Sequence, residues 1–530
     1  MRILLCGLTG VLYAFAHPNF LFEGFLPLSP LAFILLLGLL DKTASTRQRL
    51  LQVLVHQIGF QITGFYWVPA TLEEFGGLPP GVSHILGLFL SPVLNPALWG
   101  YVAWLHWRER MPGFTRWNLQ LRTFVAAVLM TGLEILIPQQ FPVYAGHVWM
   151  HVSTWRSLAS VGGVSLYSFF TWWFIFAMLP VLKRQRPEWQ ALAAVLIFAL
   201  CNLPGAPVPK NSERALNLRI VQANVGNFLK VESEAGDPLA VSDVIDRYKQ
   251  LTLLESPQAL DLIIWPETAY PFSFTSKNIK AGNDTIPALF QDLLASTGAE
   301  ILIGGYDNEG DDGTEAWDSR FETEYNSALQ FGIDGSLKQV YHKHILIPFG
   351  ETLPFGPMNQ ALSRVLPAVS FFARGTEFPR FVTKNGASFV TPICYEILQG
   401  DFIADMLNGA GSDVDFLVNL TNDSWYGKTA EPFQHLYLAK WRALEFQRPI
   451  VRSTNTGITT VIYPDGREGR RLLTNENDVL DVRLSLPEKP PVTIYQRWGQ
   501  LPLVGLWMVL AVLLSFQWWL QSRRGTSRAV

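Results

Sequence analysis

The sequence predicts a polytopic α-helical membrane protein that carries a separate α/β domain. Of its 530 residues, 49% are apolar and only 16% are charged, where soluble proteins have about 25% charged residues. The charges are also unevenly distributed, since residues 1–210 hold 20 of them and residues 211–530 hold 65. Long apolar runs fill the first part and short β-rich runs fill the second. This composition argues against a wholly soluble, a disordered or a fibrous protein.

Eight apolar runs predict about eight transmembrane helices. They cover residues 3–22, 25–40, 50–71, 84–105, 119–138, 159–182, 189–206 and 499–520. Most approach the ~20 residues that a helix needs to cross a bilayer. The alternative, buried helices of a large soluble fold, is disfavoured because the runs contain almost no charge. Glu134, inside the fifth run, is either a functional carboxylate or a hydrogen-bonding partner of a neighbouring helix.

The basic residues between these runs predict the orientation. They follow the second, fourth, sixth and eighth runs: Lys42, Arg47, Arg49; Arg108, Arg110, Arg116, Arg122; Lys183, Arg184, Arg186; and Arg523, Arg524, Arg528. The intervening loops, residues 23–24, 72–83 and 139–158, carry one basic residue between them, Arg156. By the positive-inside rule both termini are cytoplasmic and residues 207–498 lie on the opposite side. The first run imitates a signal peptide, but it continues past Ala16 and predicts a retained helix.

The predicted domain organisation has three parts. Residues 1–210 form a membrane domain with helices 1–7, residues 211–490 an extracytoplasmic catalytic domain, and residues 491–530 helix 8 with a cytoplasmic tail. Strand candidates in the middle part are 216–224, 260–266, 299–306, 326–333, 387–395, 414–422, 449–457 and 458–464. Helical spacing occurs at 238–256, 286–297, 398–409 and 431–447. This mixture predicts an α/β or α+β domain with a large sheet. It contains no Gly-rich phosphate loop, no zinc-ligand spacing and no basic aromatic stripe for nucleic acid.

The cysteines single out one position. Cys6 and Cys201 lie in apolar runs and are predicted to be buried small hydrophobic residues. Cys394 is the one cysteine of the extracytoplasmic domain, where thiols are usually paired or avoided. A reactive thiol needs a base or a cation to raise its thiolate fraction.

Two further places offer such groups. Glu267 follows an apolar strand that Pro266 stops, and Lys343 and Glu351 flank an apolar, strand-like run. Taken alone, Glu267 fits a solvated loop and Lys343 a surface position. Together with Cys394, Glu267 is a candidate base and Lys343 a candidate partner for an oxyanion.

The order Glu–Lys–Cys, with spacings of 76 and 51 residues, resembles the catalytic triad of the nitrilase, or carbon–nitrogen hydrolase, superfamily. The wider pattern resembles apolipoprotein N-acyltransferases, which place such a domain between a seventh and an eighth transmembrane helix. The motifs that carry this likeness are WPET (265–268), YHKHILIPFGE (341–351), ICYE (393–396), NLTNDSWYG (419–427) and RALEFQRPIVRSTNTG (442–457).

The resemblance implies a nitrilase-like αββα sandwich and an enzyme of two half-reactions. Cys394 would take an acyl chain from a phospholipid as a thioester, with Glu267 as base and Lys343 stabilising the oxyanion. The acceptor would be the N-terminal amine of a diacylglyceryl apolipoprotein. No metal, cofactor or nucleic acid is implied. The expected location is the cell inner membrane, with the catalytic domain on the periplasmic side.

The resemblance also implies supporting residues. Glu351 would orient Lys343, while Tyr395, Glu396 and Trp425 would line the site. The sequence departs from the family pattern at Ile345, where the family usually has His, and at Val143, where an aromatic residue is usual. Both departures concern the fit of the acyl donor or acceptor.

An apolar segment after the lysine motif predicts a mobile arm at the membrane interface. It comprises residues 352–358 together with Leu366, Val369, Phe371 and Phe372. The alternative is a loop packed on the core of its own domain.

Two other functions remain open from the sequence. One is a membrane-anchored nitrilase-like amidase or hydrolase, in which water replaces the amine in the second step. The other is a transporter or assembly scaffold with a vestigial domain, although no internal repeat typical of transporters is visible.

Overall fold

A computed structural model describes residues 1–19, 21–74, 78–110, 118–137, 139, 141–151, 158–202, 214–308, 322–364 and 369–526. The chain divides into two compact units. The first comprises Met1–Pro69, His84–Gly205 and Thr493–Val530, and the second comprises Ala70–Ser83 and Ala206–Val492.

The helices, in chain order, are α1 (Arg2–Ala14), α2 (Leu28–Asp41), α3 (Thr46–Gly64), α4 (Val68–Glu74), α5 (Pro80–Leu90), α6 (Ala97–Arg108), α7 (Leu119–Leu136), α8 (Ala159–Met178), α9 (Trp189–Cys201), α10 (Asn227–Glu234), α11 (Pro238–Thr252), α12 (Ser276–Ala281), α13 (Ala288–Thr297), α14 (Asn359–Ser363), α15 (Gly400–Gly409), α16 (Glu431–Phe446), α17 (Ile494–Trp498) and α18 (Leu501–Thr526). The strands are β1 (Ala215–Gln222), β2 (Leu262–Ile264), β3 (Ser273–Phe274), β4 (Glu300–Asp307), β5 (Tyr325–Phe331), β6 (Leu337–His342), β7 (Phe381–Val382), β8 (Ser388–Val390), β9 (Phe416–Thr421), β10 (Ile450–Thr454), β11 (Thr460–Ile462), β12 (Glu468–Arg471) and β13 (Asp478–Ser485).

The first unit is helical, and each of the eight predicted runs contains a helix. The fourth run is divided between α5 and α6. Two helical segments of the described residues, Leu119–Leu136 and Ala159–Lys183, are long and apolar enough to cross a membrane. Five further apolar helices are shorter, at Arg2–Ala14, Leu28–Asp41, Pro80–Phe89, Trp189–Cys201 and Leu501–Gln517. The total of eight spans therefore stays a prediction.

Glu134 joins two of these helices. Its side chain is buried, and Oε1 accepts hydrogen bonds from the Ala145 N–H and from Trp172 Nε1, both at 3.0 Å. Because Glu134 lies in α7 and Trp172 in α8, these contacts support the packing role. Val143, one of the two departures from the family pattern, is buried, and its N–H donates to the Gln139 side-chain oxygen Oε1 at 3.2 Å.

The burial prediction for the membrane cysteines is confirmed for Cys6 and wrong for Cys201. Cys201 is the last residue of α9, a helix with most of its side chains outside the core, so the apolar run around it did not imply burial. Arg116, Arg156 and Arg528, on which part of the orientation argument depends, lie outside the described residues.

The second unit is built on two mixed β-sheets. One has the strand order β13-β1-β2-β4-β5-β6, with β3 paired to β4, and the other has the order β12-β11-β10-β9-β8-β7. The sheets meet at β1 and β10, where Thr454 Oγ1 donates to Gln222 Oε1 at 3.3 Å. Helices α11 and α13 pack on the first sheet through a core that includes Val244, Tyr248, Trp265, Phe290, Leu293, Leu294, Ile301 and Phe331. The predicted α/β architecture of the domain is confirmed.

Each of the eight strand candidates contains a strand, but the run at 345–349 is not one. The strand lies before Lys343, in β6, which is an edge strand in the order above. Only Leu337 and Tyr341 of β6 are buried, so the strand lacks the regular alternation of apolar and polar residues that would have predicted it. The apolar run that follows instead forms a loop around Glu351.

Candidate active site

Glu267 is presented by a tight turn just after β2. Thr268, the next residue, adopts φ +47°, a left-handed conformation that is uncommon outside glycine. Strand β4 passes directly beside this turn at Gly304, where a Cβ would lie 2.2 Å from the Pro266 carbonyl oxygen. A glycine is therefore required at 304 for the turn and the strand to fit together.

Lys343 follows β6 and lies between two carboxylates. Its Nζ donates to Glu267 Oε1 at 3.0 Å and to Glu351 Oε1 at 2.8 Å, and its side chain is fully buried. Burial alone would lower the pKa of Lys343, but the neighbouring Glu267 and Glu351 outweigh it and hold the pKa well above its usual value. Lys343 is therefore a permanent ammonium group.

Asn326 in β5 ties these groups together, and the sequence did not reveal it. Its Nδ2 donates to Glu267 Oε1 at 2.8 Å and to Glu351 Oε1 at 3.0 Å, and its carbonyl accepts the Lys343 N–H at 2.8 Å. Strand β5 also contains Ser327 and Gln330, so the local sequence does not single out Asn326. The remaining oxygen of Glu267 accepts the Asn422 N–H at 2.8 Å.

Cys394 is the first residue of a short 3₁₀ helix, Cys394–Leu398, that follows β8. It adopts φ +50° and is 3% exposed. Burial raises the pKa of the Cys394 thiol well above its usual value, the Glu267 charge raises it further, and Lys343 opposes both. The thiol is therefore protonated at rest, and its use as a nucleophile requires a base.

The supporting residues take different positions. Oε1 of Glu351 is bound to Lys343, and its other oxygen accepts the Ile347 N–H at 2.9 Å. Trp425 lines a cavity of about 90 Å³. The other residues around this cavity are Lys230, Glu234, Glu267, Thr268, Tyr306, Asn326, Gly350, Glu351, Ser370, Phe372 and Asn422. Neither Tyr395 nor Glu396 is among them. Tyr395 is buried and its hydroxyl accepts from Gln399 Nε2 at 2.9 Å.

Glu396 joins the Cys394 segment to the segment after Lys343. Oε2 accepts from the Tyr341 hydroxyl and the Ile393 N–H, both at 2.8 Å, and Oε1 accepts from the N–H groups of His344 at 2.6 Å and Ile345 at 3.0 Å. Burial raises the pKa of Glu396 to about 7, although these bonds oppose the rise. Ile345, one of the two departures from the family pattern, therefore contacts Glu396 through its backbone.

A buried ionic network contacts the backbone of Cys394. Arg452 donates to Asn419 Oδ1 at 2.7 Å and to Asp423 Oδ2 at 3.2 Å, and Asn419 Nδ2 donates to the Cys394 carbonyl at 3.4 Å. Through Asn419, this network holds the backbone carbonyl of Cys394 in place.

The same network contains the one set of described side chains with metal-ligand spacing. Asp423, Glu431 and His435 are buried, and their ligand atoms lie within 4.8 Å of one another. The Arg452 guanidinium already neutralises Asp423 and would repel a second cation. The arrangement therefore favours an ionic network over a metal centre.

The apolar segment after the lysine motif divides into a packed part and an exposed part. Leu353, Val369 and Phe371 form a small buried cluster, and Phe372 is also buried. Phe355 and Met358 are 48% and 63% exposed. Leu366 lies outside the described residues. The alternative of a loop packed on its own domain therefore describes the buried residues, and a mobile arm at the membrane interface stays a prediction.

Comparison with known proteins agrees with this geometry. The carbon-nitrogen hydrolase family model matches residues 218–488, and the model for the apolipoprotein N-acyltransferase N-terminal domain matches residues 9–177. The apolipoprotein N-acyltransferase of Vibrio cholerae is 30% identical over 99% of this chain and 98% of its own length. That of Bdellovibrio bacteriovorus is 29% identical over 89% of this chain and 87% of its own length.

Among solved structures, an amidase of the nitrilase superfamily from Nesterenkonia AN1 is 18% identical, with a TM-score of 0.37, over 57% of this chain and 100% of that chain. The family assignment does not depend on it. Since the carbon-nitrogen hydrolase model covers just over half of the chain and a relative at 30% identity spans nearly all of it, the chain belongs to the apolipoprotein N-acyltransferase family of carbon–nitrogen hydrolases.

Proposed function

We propose that this chain is an N-acyltransferase that moves an acyl chain from a phospholipid to the N-terminal amine of a diacylglyceryl apolipoprotein. One observation carries the proposal, beside the family membership. One buried, hydrogen-bonded cluster contains Glu267, Lys343 and Glu351. The charge of Glu267 raises the pKa of the Cys394 thiol, and the charge of Lys343 lowers it.

In the first half-reaction, Cys394 is the nucleophile and Glu267 the base. Glu267 accepts the thiol proton, and the sulfur attacks the ester carbonyl of the phospholipid. The tetrahedral intermediate then collapses to a thioester, and Glu267 returns the proton to the leaving lysophospholipid oxygen. Because the pKa of Cys394 is raised, the thiolate exists only while Glu267 holds this proton.

Lys343 stabilises the oxyanion of that intermediate. An ammonium group carries three protons, and within the described part of the chain Lys343 Nζ donates two of them to Glu267 and Glu351. The third is available to the developing oxyanion. A preorganised donor of this kind typically contributes ~3 kcal/mol to the barrier reduction.

In the second half-reaction, the α-amine of the S-diacylglyceryl cysteine attacks the thioester. Glu267 removes a proton from the attacking nitrogen, the C–S bond breaks, and the sulfur leaves as the Cys394 thiol after receiving that proton. The product is an N-acylated lipoprotein. Of the remaining site residues, we propose that Glu351 orients Lys343 and that Trp425 forms part of the cavity wall. Tyr395 and Glu396 hold the loop that carries Cys394.

The lipid substrates explain why this chemistry belongs to a membrane protein. Moving an acyl chain into water costs about 0.8 kcal/mol per CH₂ group, so both substrates stay in the bilayer. We propose eight membrane spans within residues 1–210 and 491–530, cytoplasmic termini, and a catalytic domain over residues 211–490 on the periplasmic face of the inner membrane. The basic loop residues of the sequence support this orientation.

The test is a trapped intermediate. The purified protein is incubated with a phospholipid that carries a labelled acyl chain, and the protein is then separated and treated with hydroxylamine. We expect a labelled, hydroxylamine-labile adduct that Cys394→Ala abolishes. An adduct that hydrolyses in water and never reaches an added diacylglyceryl peptide would favour the amidase or hydrolase alternative. The absence of any adduct would contradict both enzymatic functions.

A further inference from the structure

Lys230, a lysine outside the proposed triad, forms hydrogen bonds to the turn that presents Glu267. Lys230 lies in α10 and is 5% exposed. Its Nζ donates to the Thr268 carbonyl at 2.9 Å and to Thr268 Oγ1 at 2.5 Å. Thr268 is the residue next to Glu267, so the ammonium group holds the backbone and the side chain of the turn at once.

The third proton of this ammonium group is also bound. Nζ of Lys230 lies 2.7 Å from Glu234 Oε1, which in turn accepts the Tyr306 hydroxyl at 2.6 Å. Glu234 is one helical turn along α10, and Tyr306 lies in β4. With all three protons bound to protein groups, Lys230 is built into a fixed frame and is not a free cation that awaits a ligand.

The turn needs such a frame because its conformation is unfavourable by itself. Thr268 has a branched side chain at φ +47°, a combination that costs energy unless the surroundings hold it. The N–H of Ala269 donates to the Gly304 carbonyl at 2.9 Å and fixes the turn from the β4 side. Lys230 fixes it from the α10 side, and Lys230, Thr268 and Glu267 all line the 90 Å³ cavity.

We propose that Lys230 is a positioning residue, which holds Glu267 in the place where it serves as the base for Cys394. This inference rests on the proposed role of Glu267. Without Lys230 the Thr268 turn relaxes and the Glu267 carboxylate moves away from the thiol. Two effects follow, a lower rate of acyl transfer and a lower pKa of the Cys394 thiol. Acyl transfer slows because the base is misplaced, and the thiol becomes more acidic because a nearby negative charge has left.

The experiment compares Lys230→Met with the wild type and with Glu267→Gln. Lys280→Met, the same change at an exposed lysine of α12, is the matched control. Alkylation of Cys394 by iodoacetamide is followed by mass spectrometry of the Cys394 peptide as a function of pH. Acyl-adduct formation from labelled phospholipid is followed separately. Thermal unfolding reports whether each variant is folded.

We expect Lys230→Met to form the adduct ~10-fold or more slowly, while its alkylation profile moves to lower pH, towards that of Glu267→Gln. Lys280→Met should match the wild type in both. Should Lys230→Met fail to fold, Thr268→Val removes one of the two acceptors and keeps the shape, and its profile should move in the same direction. Thr268→Ser should restore the wild-type profile.

Alkylation profiles of Lys230→Met and Thr268→Val that superimpose on the wild type would overturn the positioning role, whatever their activity. A failure of the proposed function gives a different result. The wild type would then form no adduct with phospholipid, while the alkylation profile of Lys230→Met would still move towards that of Glu267→Gln.

Discussion

Among single residues, the site is a set of buried charged side chains that form hydrogen bonds and ion pairs with one another. Lys343 has no exposed surface, and each of the carboxylates beside it accepts further hydrogen bonds from the protein. Isolated charges are not stable in such surroundings. The same contacts that stabilise Glu267 and Glu351 as carboxylates therefore also fix their distances from the ammonium group.

Asn326 is the residue whose removal tests this arrangement most simply. Asn326→Ala leaves both carboxylates without the amide that joins them. We expect the free energy of unfolding to fall by about 1–3 kcal/mol and the rate of acyl-adduct formation to fall about 10-fold. Denaturant unfolding and single-turnover kinetics measure the two. Asn283→Ala, at an exposed position, is the control, and equal behaviour of the two variants would contradict the role of Asn326.

Glu396 illustrates a different role for a residue of the ICYE motif. Each of its two oxygens accepts two hydrogen bonds, so in Glu396→Gln the amide nitrogen must face at least one N–H group. We expect a loss of about 1–3 kcal/mol in unfolding free energy, measured by denaturant titration. A substrate KM that changes while stability does not would show instead that Glu396 contacts substrate.

At the scale of elements, the segment after Lys343 shows where sequence patterns mislead. Its apolar residues predict a strand, but the strand is β6, whose polar residues lie on an edge of the sheet. The loop that follows wraps Glu351, whose Oε2 accepts the Ile347 N–H. The hydrophobic run here therefore forms a loop and not a strand of the sheet.

The apolar segment around Phe355 and Phe371 gives a prediction at this scale. Phe371 is 5% exposed in a small core, so Phe371→Ser should lower the unfolding free energy by about 3 kcal/mol. Phe355 is 48% exposed, and Phe355→Ser should leave stability unchanged and slow adduct formation from phospholipid vesicles. Phospholipid turnover that Phe355→Ser does not change would contradict an arm that enters the bilayer.

At the scale of the whole molecule, the sequence predicts the type of each unit better than its details. Strand and helix patterns were sufficient for the α/β domain, and the motifs led to Glu267 and Lys343, which the structure brings into one hydrogen-bonded cluster. Asn326 and Lys230 were not predictable, because the contacts that define them join residues 59 and 38 positions apart. Nothing in their local sequence distinguishes them from other buried or surface polar residues.

The membrane topology is testable by labelling. In a background with Cys201→Ala and Cys394→Ala, in which these native thiols cannot be labelled, Arg47→Cys lies in a predicted cytoplasmic loop and Lys280→Cys lies in the catalytic domain. With a membrane-impermeant maleimide applied to intact spheroplasts, we expect Lys280→Cys to react at once and Arg47→Cys only after permeabilisation. The reverse pattern would contradict the orientation that the basic loops predict.

In the proposed mechanism, Cys394 carries an acyl group between a phospholipid and an amine. The direct measurement is to isolate the labelled acyl-enzyme and add a diacylglyceryl peptide with a free N-terminal amine, with the N-acetylated peptide as control. We expect the label to leave Cys394 and appear as an amide on the free peptide alone. A label that stays on the enzyme, or that leaves as free fatty acid at the same rate with both peptides, would contradict this mechanism.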